Sequence, residues 1–344
     1  MLCHWSTGLK STGTPRSRLG RSDPTRLMMD KEVSDAITDV PGVKVGPVED
    51  VQVLTSVTVI LTEGGSVGAV DVRGANPGTI NTDALHPMNL NEEVHAIVLT
   101  GGSLFGLATV SGVTRYLEEH GLGVNVGVGT IRVVAGAVIF DLPAGRADIR
   151  PIAEWGYDVA RAASRGPVQQ GNCGGGTDGT AGNTPVSIPT KGGTGTASSV
   201  LPTGTTVDAL VCVNALEDVI NPNTRDLYAW TGFCDLAATP KLWPSSRTPK
   251  HPGLADSTTI ACIATDAQLT KTQVAKVAEM AHQGIAQAIR PIHSMRDGDA
   301  VFALSVTQDS PPMAGGAHPG EDTDIISSAA ADVLMRNVVN GTGC

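Results

Sequence analysis

The stretch "ADSTTIACIATDAQL", residues 255–269, decides the fold and raises a question about function. Its apolar run predicts a buried strand from Thr258 to Thr265. Such a strand usually opens with Val or Ile, whereas this one opens with two threonines behind an Asp-Ser pair. A threonine inside a chain is a weak nucleophile because no base lies beside it. If the bond before Thr258 were cut, its own α-amine, with a pKa of about 8, would become that base.

Composition and charge exclude two classes of protein. The 344 residues carry a formal charge of −10, so the chain lacks the basic footprint of a nucleic-acid-binding protein. No apolar run approaches the ~20 residues of a membrane span. Residues 1–31 hold six basic and two acidic residues, which gives +4 and leaves −14 on the remainder. We interpret residues 1–30 as a disordered leader, and Met28 or Met29 is the alternative start.

The cysteines and histidines point away from disulfides and metals. The six cysteines show no CxxC spacing, which is typical of a reducing cytoplasm, and we therefore predict a cytoplasmic protein. The eight histidines form no HExxH motif or other paired metal spacing. His282 is expected at the solvent edge of a helix and His293 in the loop after it. The sequence thus predicts no metal and no cofactor.

The order of predicted elements favours an α/β protein with one catalytic domain over residues 31–344. The end of the chain reads strand–helix–strand–helix, and the front contains strand clusters with single helices, so mixed sheets with helices packed on their faces are expected. In the last helix Ile325, Ala329, Leu334 and Val338 are expected to face inward. The predicted strands are 51–61, 67–72, 96–100, 123–141, 209–216, 258–265 and 301–306, and the predicted helices are 109–120, 151–164, 272–289 and 324–339.

Two glycine-containing motifs have both a structural and a functional interpretation. "LTGGSLFGL", residues 99–107, has the strand–turn–helix layout of a nucleophile elbow, but Phe105 stands where that motif needs glycine. The pattern therefore favours Ser103 as a helix N-cap. Gly174 to Gly179 fit GxGxxG without the flanking strand and helix, and we interpret them as part of a flexible loop, 165–195.

Three further polar features carry chemistry if tertiary structure brings them together. Asp297-Gly298-Asp299 is typical of a surface turn and, taken alone, favours that interpretation over a pair of carboxylates aimed at one site. Lys191 reads as a solvated loop lysine. Asn214 lies in the middle of a predicted strand, where burial would leave its amide with several hydrogen bonds to satisfy.

Long ordered segments spread over about residues 35–340 resemble one known family. The chain is similar to the self-processing N-terminal-nucleophile aminopeptidases, which include the L-aminopeptidase/D-esterases, the β-peptidyl aminopeptidases and the endo-type nylon-oligomer hydrolase. The matching segments are "ITDVPGVKVG" (37–46), "AVDVRGANPGT" (69–79), "LTGGSLFGL" (99–107), "GAVIFDL" (136–142), "KGGTGTAS" (191–198), "LVCVNA" (210–215), "STTIACIATDAQL" (257–269) and "IRPIHSMRDGDAVFAL" (289–304).

The resemblance implies a four-layer α/β/β/α sandwich made as a precursor that cuts itself into residues 1–257 and 258–344. Thr258 would be the nucleophile, with its own amine as general base. Asn214 would supply the oxyanion-hole amide. Lys191 would support the nucleophile, and Asp297 and Asp299 would orient and polarise the Thr258 amine and hydroxyl.

The chain departs from the family pattern at three positions. Ser257 precedes the scissile bond, where relatives often have Asn or Gly. Phe140 and Phe105 each replace a tyrosine, and the lost hydroxyls bear on substrate choice. Together with Ser103, these two phenylalanines are the expected substrate-binding residues.

These observations predict a self-activating amide hydrolase acting on small peptides or peptide-like amides through an acyl-enzyme. One alternative is an acyltransferase of the ornithine-acetyltransferase kind, and another is an uncut, non-catalytic homologue. The apolar strands and the scarcity of aromatic anchors favour self-association over a foreign protein partner. We expect a homo-oligomer, a tetramer or larger, in which residues 1–30 and 165–190 are the least ordered.

Overall fold

The structure is a computed structural model. It describes residues 34–50, 55–143, 147–182, 190–222, 224, 227–229, 257–307 and 319–342. The predicted leader, the first residues of the predicted strand 51–61 and part of the glycine-rich loop lie outside the described residues. The described residues belong to one compact unit.

The helices and strands of the structure occur in the predicted order along the chain. The helices are α1 (Thr109–Glu119), α2 (Ala153–Ala162), α3 (Lys271–Ala288) and α4 (Pro319–Thr342). The strands are β1 (Lys44–Asp50), β2 (Thr55–Val72), β3 (Thr79–Ile80), β4 (Glu93–Thr100), β5 (Val124–Asn125), β6 (Thr130–Ile131), β7 (Val134–Val138), β8 (Thr180–Ala181), β9 (Thr190–Lys191), β10 (Gly193–Val200), β11 (Thr206–Asn214), β12 (Asp218–Ile220), β13 (Leu227–Ala229), β14 (Thr258–Thr265), β15 (Ile289–Arg290) and β16 (Ala300–Ser305).

One long strand, β2, joins the two halves of the main sheet. The strand order is β10-β11-β14-β16-β2-β4-β7-β3, and β1 also pairs with β2. The first half of β2 pairs with β1, and its last six residues pair with β16. The pairing with β4 shifts register between Leu61 and Ser66, and Gly65 lies there at φ +81°. A bulge bends and twists a strand, so it lets one strand serve both halves. Two separate strands were predicted here, and that prediction was wrong.

Alternating side chains along the strands divide the molecule into four layers. In β14, Ala261 and Ile263 belong to the core beneath α3 and α4, whereas Ile260 and Cys262 belong to a central core. That central core also takes Ile97 and other residues of β2, β4 and β7, whose alternate residues form a third core beneath α1 and α2. A strand presents successive residues to opposite faces of its sheet. Each half of the sheet therefore packs against two helices on one face and against the other half of the sheet on the opposite face. The predicted α/β/β/α sandwich is confirmed.

Helix α3 shows why the periodic segments were predictable. Thr270 caps it by accepting from the Gln273 backbone N–H, and the Gln273 side chain accepts from Thr270 in return. Its buried residues Val274, Ala278 and Ile285 follow the helical spacing. The helix therefore has both a fixed start and an apolar face against the sheet.

The positions of Ile325, His282 and the glycines around Gly176 differ from those predicted. In α4, Leu334 and Val338 are fully buried as predicted and Ala329 packs against the core, but Ile325 is 51% exposed and its neighbour Ile326 is fully buried in its place. His282 is fully buried instead of lying at a solvent edge. Gly176 is buried in a short 3-10 segment, Gly174–Gly176, and a Cβ there would lie 2.4 Å from the Gly193 carbonyl carbon. These glycines permit close packing, which is different from a flexible loop.

Across the part of the chain that the structure describes, no helix combines the length and the apolar character that crossing a membrane requires.

Candidate active site

Thr258 begins β14 at the end of the strand where several polar residues converge. It lies directly opposite Asn214, the last residue of the neighbouring β11. Thr258 is 3% exposed and Asn214 is 1% exposed. The two strands are apolar along most of their length, and their burial in the sheet fixes these two polar residues at the ends of the strands. The placement follows from strand register, which sequence spacing alone does not give.

The Ser257–Thr258 peptide bond is held in a specific geometry. The Thr258 hydroxyl donates to the carbonyl oxygen of Ser257 at 2.5 Å. The Ser257 hydroxyl donates to Asp297 Oδ1 at 2.6 Å, and a backbone bridge also joins Ser257 to Asp297. The Thr258 hydroxyl is thus in direct contact with the carbonyl group of its own preceding peptide.

Asp297 and Asp299 lie in a buried turn, which corrects the surface-turn interpretation. They are 1% and 2% exposed. Asp299 Oδ1 accepts from the Thr259 backbone N–H at 2.7 Å, so this carboxylate lies next to the start of β14. A Cβ at Gly298 would lie 2.5 Å from the Asn76 carbonyl oxygen, so another segment covers the turn. An Asp-Gly pair looks alike at a surface and under a covering loop, and only tertiary packing distinguishes them.

Two carboxyl groups near Asp297 are shifted toward the protonated form. Burial is the main factor that raises the pKa of Asp299, and hydrogen bonding to His293 acts in the opposite direction. Burial likewise raises the pKa of Glu217 well above its usual range, and the charges of Asp297 and Asp299 add to this effect. Glu217 was not among the predicted site residues. Its signal in the sequence was an acidic residue three positions after Asn214, in "NALEDV".

Asn214 faces Thr258 across the strand pair, but both ends of its amide are engaged with loops. Its oxygen accepts from the Thr180 backbone N–H at 3.1 Å. Its nitrogen donates to the Phe140 carbonyl oxygen at 3.1 Å. This nitrogen would have to exchange its partner to bind a developing oxyanion. The segments around Phe140 and Thr180 are thereby placed beside the candidate nucleophile.

Lys191 lies in β9, and its ammonium donates to the Thr177 carbonyl oxygen at 3.1 Å. The residue is exposed, and the structure does not bring its side chain into hydrogen-bonding contact with Thr258. It does lie close enough to Asp178 for its charge to lower the pKa of that carboxyl group. Its predicted support of the nucleophile stays a prediction.

Ser103 and Phe105 lie in a short 3-10 segment, Ser103–Ala108, at the edge of the same region. Ser103 has φ +52°, its backbone N–H donates to the Ile139 carbonyl oxygen at 3.1 Å, and its side chain caps no helix. The N-cap interpretation was therefore wrong, because α1 begins six residues later. Phe105 is 56% exposed, and the Arg150 guanidinium lies 3.8 Å from the centre of its ring.

Two more acidic residues escaped prediction, Asp141 and Asp178. Asp141 Oδ1 accepts from the Gly102 backbone N–H at 2.7 Å, and burial raises the pKa of Asp141 to about 6. Asp178 is fully buried, and burial together with the charge of Asp141 raises its pKa to about 7. Among the described residues neither oxygen of Asp178 has a hydrogen-bond partner. Both residues flank segments that contact Asn214.

Two histidines lie next to Asp299, one in contact with its carboxyl group and the other in α3. His293 Nδ1 lies 2.7 Å from Asp299 Oδ2, and the rings of His293 and His282 meet edge to face at 4.8 Å. His282 Nε2 lies 3.1 Å from the Asp71 carbonyl oxygen, and burial lowers the pKa of His282 to about 4. Within the described ranges, no group of three or more His, Cys, Asp or Glu side chains could hold a metal ion.

Comparison with known proteins identifies the family. The peptidase family S58 matches residues 35–342. An uncharacterized aminopeptidase of Mycobacterium bovis is 41% identical over 330 residues, which cover 89% of this chain and 93% of the relative. A 6-aminohexanoate-oligomer endohydrolase of a Kocuria species is 28% identical over 314 residues, which cover 88% of this chain and 84% of that protein.

A solved structure gives the same result for the fold. The L-aminopeptidase D-Ala-esterase/amidase of Ochrobactrum anthropi, described as a variant of the Ntn hydrolase fold, has a TM-score of 0.67 at 22% identity. The match covers 90% of this chain and 85% of that one. The N-terminal-nucleophile type of fold expected from the sequence is confirmed. Given the span of the family match and the identity of the mycobacterial relative, the chain belongs to peptidase family S58.

Proposed function

We propose that the chain cuts itself between Ser257 and Thr258 and that the product is an aminopeptidase or amidase acting on small peptides or peptide-like amides. The single observation that carries the proposal is the Thr258 hydroxyl, which lies 2.5 Å from the carbonyl oxygen of Ser257. Attack by this hydroxyl on the Ser257 carbonyl carbon converts the peptide bond into an ester, and water then releases a chain that begins at Thr258.

In the cut enzyme the same hydroxyl attacks the substrate carbonyl, and the new α-amine of Thr258 serves as general base. Asp299 accepts from the Thr259 backbone N–H and Asp297 accepts from the Ser257 hydroxyl, and from these positions they would orient and polarise the Thr258 amine and hydroxyl. Asn214 would supply the oxyanion amide after releasing Phe140. Lys191 would act through the Thr177–Asp178 segment, and Ser103, Phe105 and Phe140 would contact the substrate.

The relatives named above favour hydrolysis over the alternative acyl transfer. One is named an uncharacterized aminopeptidase and the other a 6-aminohexanoate-oligomer endohydrolase, and both names denote hydrolases. Adding a free amino acid as acceptor separates the two reactions, since a transferase forms the transfer product faster than the hydrolysis product.

Two finer features belong to the same proposal. We infer a homo-oligomer of processed pairs, a tetramer or larger, in a cytoplasmic setting. The three cysteines that the structure describes, at positions 173, 212 and 262, are buried, which is consistent with reduced thiols in a reducing compartment. Light scattering on the purified protein should give several times the 35.3 kDa mass of one chain. A fully active monomer would contradict the assembly and leave the chemistry unchanged.

The decisive experiment is intact mass spectrometry of the purified protein beside a denaturing gel. We expect two fragments, one ending at Ser257 and one running from Thr258 to Cys344 with a free α-amine. A single uncut chain, or a new N-terminus elsewhere, would overturn the proposal and favour the non-catalytic homologue.

A further inference from the structure

His293 contacts a carboxyl group beside the scissile bond, and the mechanism given above assigns it no role. Its Nδ1 lies 2.7 Å from Asp299 Oδ2, and Asp299 Oδ1 accepts from the Thr259 backbone N–H at 2.7 Å. Asp299 thereby joins His293 to the residue that follows Thr258. Asp299 is only 2% exposed, so these two partners fix the orientation of its carboxyl group inside the protein.

The backbone of His293 adopts a conformation that is uncommon for residues other than glycine. Its φ is +58°, in the left-handed region. The next residue, Ser294, donates its N–H to Asp297 Oδ2, and its carbonyl oxygen accepts from the Asp297 N–H at 3.3 Å. The loop therefore folds back on itself and brings His293 to Asp299, which lies six residues further along the chain. Left-handed residues of this kind persist where the surrounding structure fixes them, and they cluster at functional sites.

The contacts of the His293 ring indicate its tautomer. A carboxylate only accepts hydrogen bonds, so its bond with the ring needs the hydrogen on Nδ1. The other ring nitrogen, Nε2, is buried without a hydrogen-bond partner among the described residues. A hydrogen on Nε2 would thus be a buried donor without an acceptor, which is costly. The tautomer that fits both nitrogens donates from Nδ1 to the carboxylate of Asp299.

The hydrogen bond from His293 also favours the charged form of Asp299. Burial is the main factor acting on this carboxyl group, and it raises the pKa of Asp299. Among the factors that lower this pKa, the hydrogen bond with His293 is the largest, and the bond from the Thr259 backbone acts in the same direction. Charged acceptors form stronger hydrogen bonds than neutral ones. His293 therefore strengthens the bond between Asp299 and the start of β14.

We propose that His293 is a positioning residue of this site, which holds the Asp299 carboxylate against the Thr259 backbone and so fixes Thr258 beside the Ser257 carbonyl group. The inference rests on the proposed self-cleavage. Without the His293 donor the carboxyl group is free to rotate, and its bond to the Thr259 N–H weakens. His293, Asp299 and Thr259 all lie on the C-terminal side of the proposed cut, so the same contact is retained in the cut enzyme.

The test compares three residues at position 293 in the full-length chain, with the rate of self-cleavage measured by pulse–chase in cell-free translation. His293→Gly accepts the left-handed backbone and removes the donor. It should cut itself about tenfold or more slowly, as expected for the loss of a hydrogen bond to a charged group. His293→Asn also tolerates this backbone and carries an N–H₂ group near the place of Nδ1, so its rate should lie within about threefold of the wild type.

A double variant separates positioning through Asp299 from packing of the ring. Asp299→Asn keeps an oxygen that can accept from the Thr259 N–H and loses the charge. If His293 acts through the Asp299 carboxylate, adding His293→Gly to Asp299→Asn should slow self-cleavage further by less than about threefold. A ring that only packs the loop, for example through its edge-to-face contact with His282, would cause the same loss in both backgrounds.

Asn81→Gly is the matched control. Asn81 is also left-handed, with φ +59°, and its side-chain nitrogen donates to the Val134 carbonyl oxygen at 2.8 Å. It follows β3, the last strand in the order of the main sheet, and has no contact with Asp299 in the described chain. Asn81→Gly should therefore leave the rate of self-cleavage unchanged.

Each outcome decides a separate claim. An uncut wild-type chain overturns the proposed function and this inference with it. A cut wild-type chain together with a folded His293→Gly chain that cuts at the wild-type rate overturns the role of His293 alone. A folded His293→Asn chain as slow as His293→Gly also overturns it, as does an equal loss in both backgrounds. Thermal unfolding shows which variants fold, and His293→Asp, which matches asparagine in size without its N–H donors, replaces the glycine variant if that chain is unfolded.

Discussion

The two ends of strand β14 have similar residues and very different surroundings. Thr258 begins the strand after Ser257, and Thr265 ends it before Asp266. Both threonines are buried, with 3% and 2% of their surface exposed. In the sequence each is a hydroxyl residue beside a short polar residue at the border of an apolar run. A reader of the sequence alone has no local reason to assign chemistry to one and not to the other.

At the Thr265 end, polar groups close the fold. The Thr265 hydroxyl donates to the Thr206 carbonyl oxygen at 2.7 Å, and Asp266 accepts from the Thr206 backbone N–H at 2.7 Å. The Ser305 hydroxyl donates to the Ala267 carbonyl oxygen at 2.6 Å. Each side chain pairs with a backbone group of another strand or turn, which is how buried polar groups are normally satisfied.

At the Thr258 end, the same types of group act on each other. The Thr258 hydroxyl donates to the carbonyl oxygen of its own preceding peptide, Asp297 accepts from the Ser257 hydroxyl, and Asp299 accepts from the Thr259 backbone N–H. Perturbed acidic groups beside a nucleophile are typical of a functional site. The two ends of the strand have similar residues and differ in the loops that pack against them. The chemistry at the Thr258 end therefore depends on those loops and not on the strand itself.

The largest expected effect compares alanine at the two threonines. Thr258→Ala should leave a single uncut chain without activity, because no hydroxyl remains to attack the Ser257 carbonyl. Thr265→Ala should cut itself normally and lose about 1 to 3 kcal/mol of unfolding free energy, because its hydroxyl makes two buried hydrogen bonds. Denaturing gels and urea titrations measure the two outcomes. Equal processing in both variants would remove the distinction between the two ends.

The next effect concerns the amide opposite the nucleophile. Asn214→Ala should slow self-cleavage by about 10²- to 10³-fold, which is the usual loss for an oxyanion-hole donor. Pulse–chase in cell-free translation measures the rate. Asn214→Asp keeps the size of the side chain without its N–H donors and should be as slow. A fast aspartate variant would assign Asn214 a packing role only.

A smaller effect separates the carboxylates of the two ends. Asp299→Asn should lower kcat/KM by about 10²-fold, the scale of orienting and electrostatic groups. Asp266→Asn removes a carboxylate that accepts from a backbone N–H at the other end and should change stability without changing kcat/KM. Activity on an amino-acid anilide and thermal unfolding of both variants make the comparison. Equal losses of activity would contradict the assignment.

The smallest effect is on stability and depends on pH. The folded-state pKa of His282 is lowered to about 4, so the folded chain holds it neutral while the unfolded chain protonates it below about 6.5. The contribution of His282 to the free energy of unfolding is therefore fully present above pH 6.5. As the pH falls from 6.5 toward 4, this contribution decreases by up to about 3 kcal/mol. Asp141 and Asp178 act in the opposite direction, since their raised pKa values favour the folded state at low pH.

His282→Gln keeps a donor for the Asp71 carbonyl and removes the titration. The difference in unfolding free energy between this variant and the wild type should change between pH 6.5 and 4 and be constant above pH 7. A pH-independent difference would show that His282 does not titrate in this window. Thr265→Ala provides the control, because it should shift the whole pH curve by a constant amount.

Local patterns predicted a large part of the fold. The strand from Thr258 to Thr265 and helix α3 were predicted within one residue, because an apolar run and a helical spacing with a capping residue are encoded in neighbouring residues. In α4 the inward positions Leu334 and Val338 were predicted correctly, whereas at the start of the helix Ile326 is buried instead of Ile325. The single strand β2 was missed because two glycines read as an interruption.

The candidate site divides in the same way. Thr258, Asn214, Lys191, Asp297 and Asp299 were named from the sequence through a resemblance, while the residues themselves favoured a surface turn for the last two. Glu217, Asp141 and Asp178 were not singled out, and His293 was considered only as a possible metal ligand, because their importance lies in burial and neighbours that no local pattern carries.

The sequence by itself determined the layered α/β architecture, since hydrophobic periodicity records which face of each element is buried. It also determined that a hydroxyl residue opens a buried strand. Only the tertiary structure decided that this hydroxyl meets its own peptide carbonyl and that the buried carboxyl groups of Asp297 and Asp299 lie beside it. These two residues lie about 40 positions after Thr258 in the sequence, and the register and burial that bring them to it arise only when the chain folds.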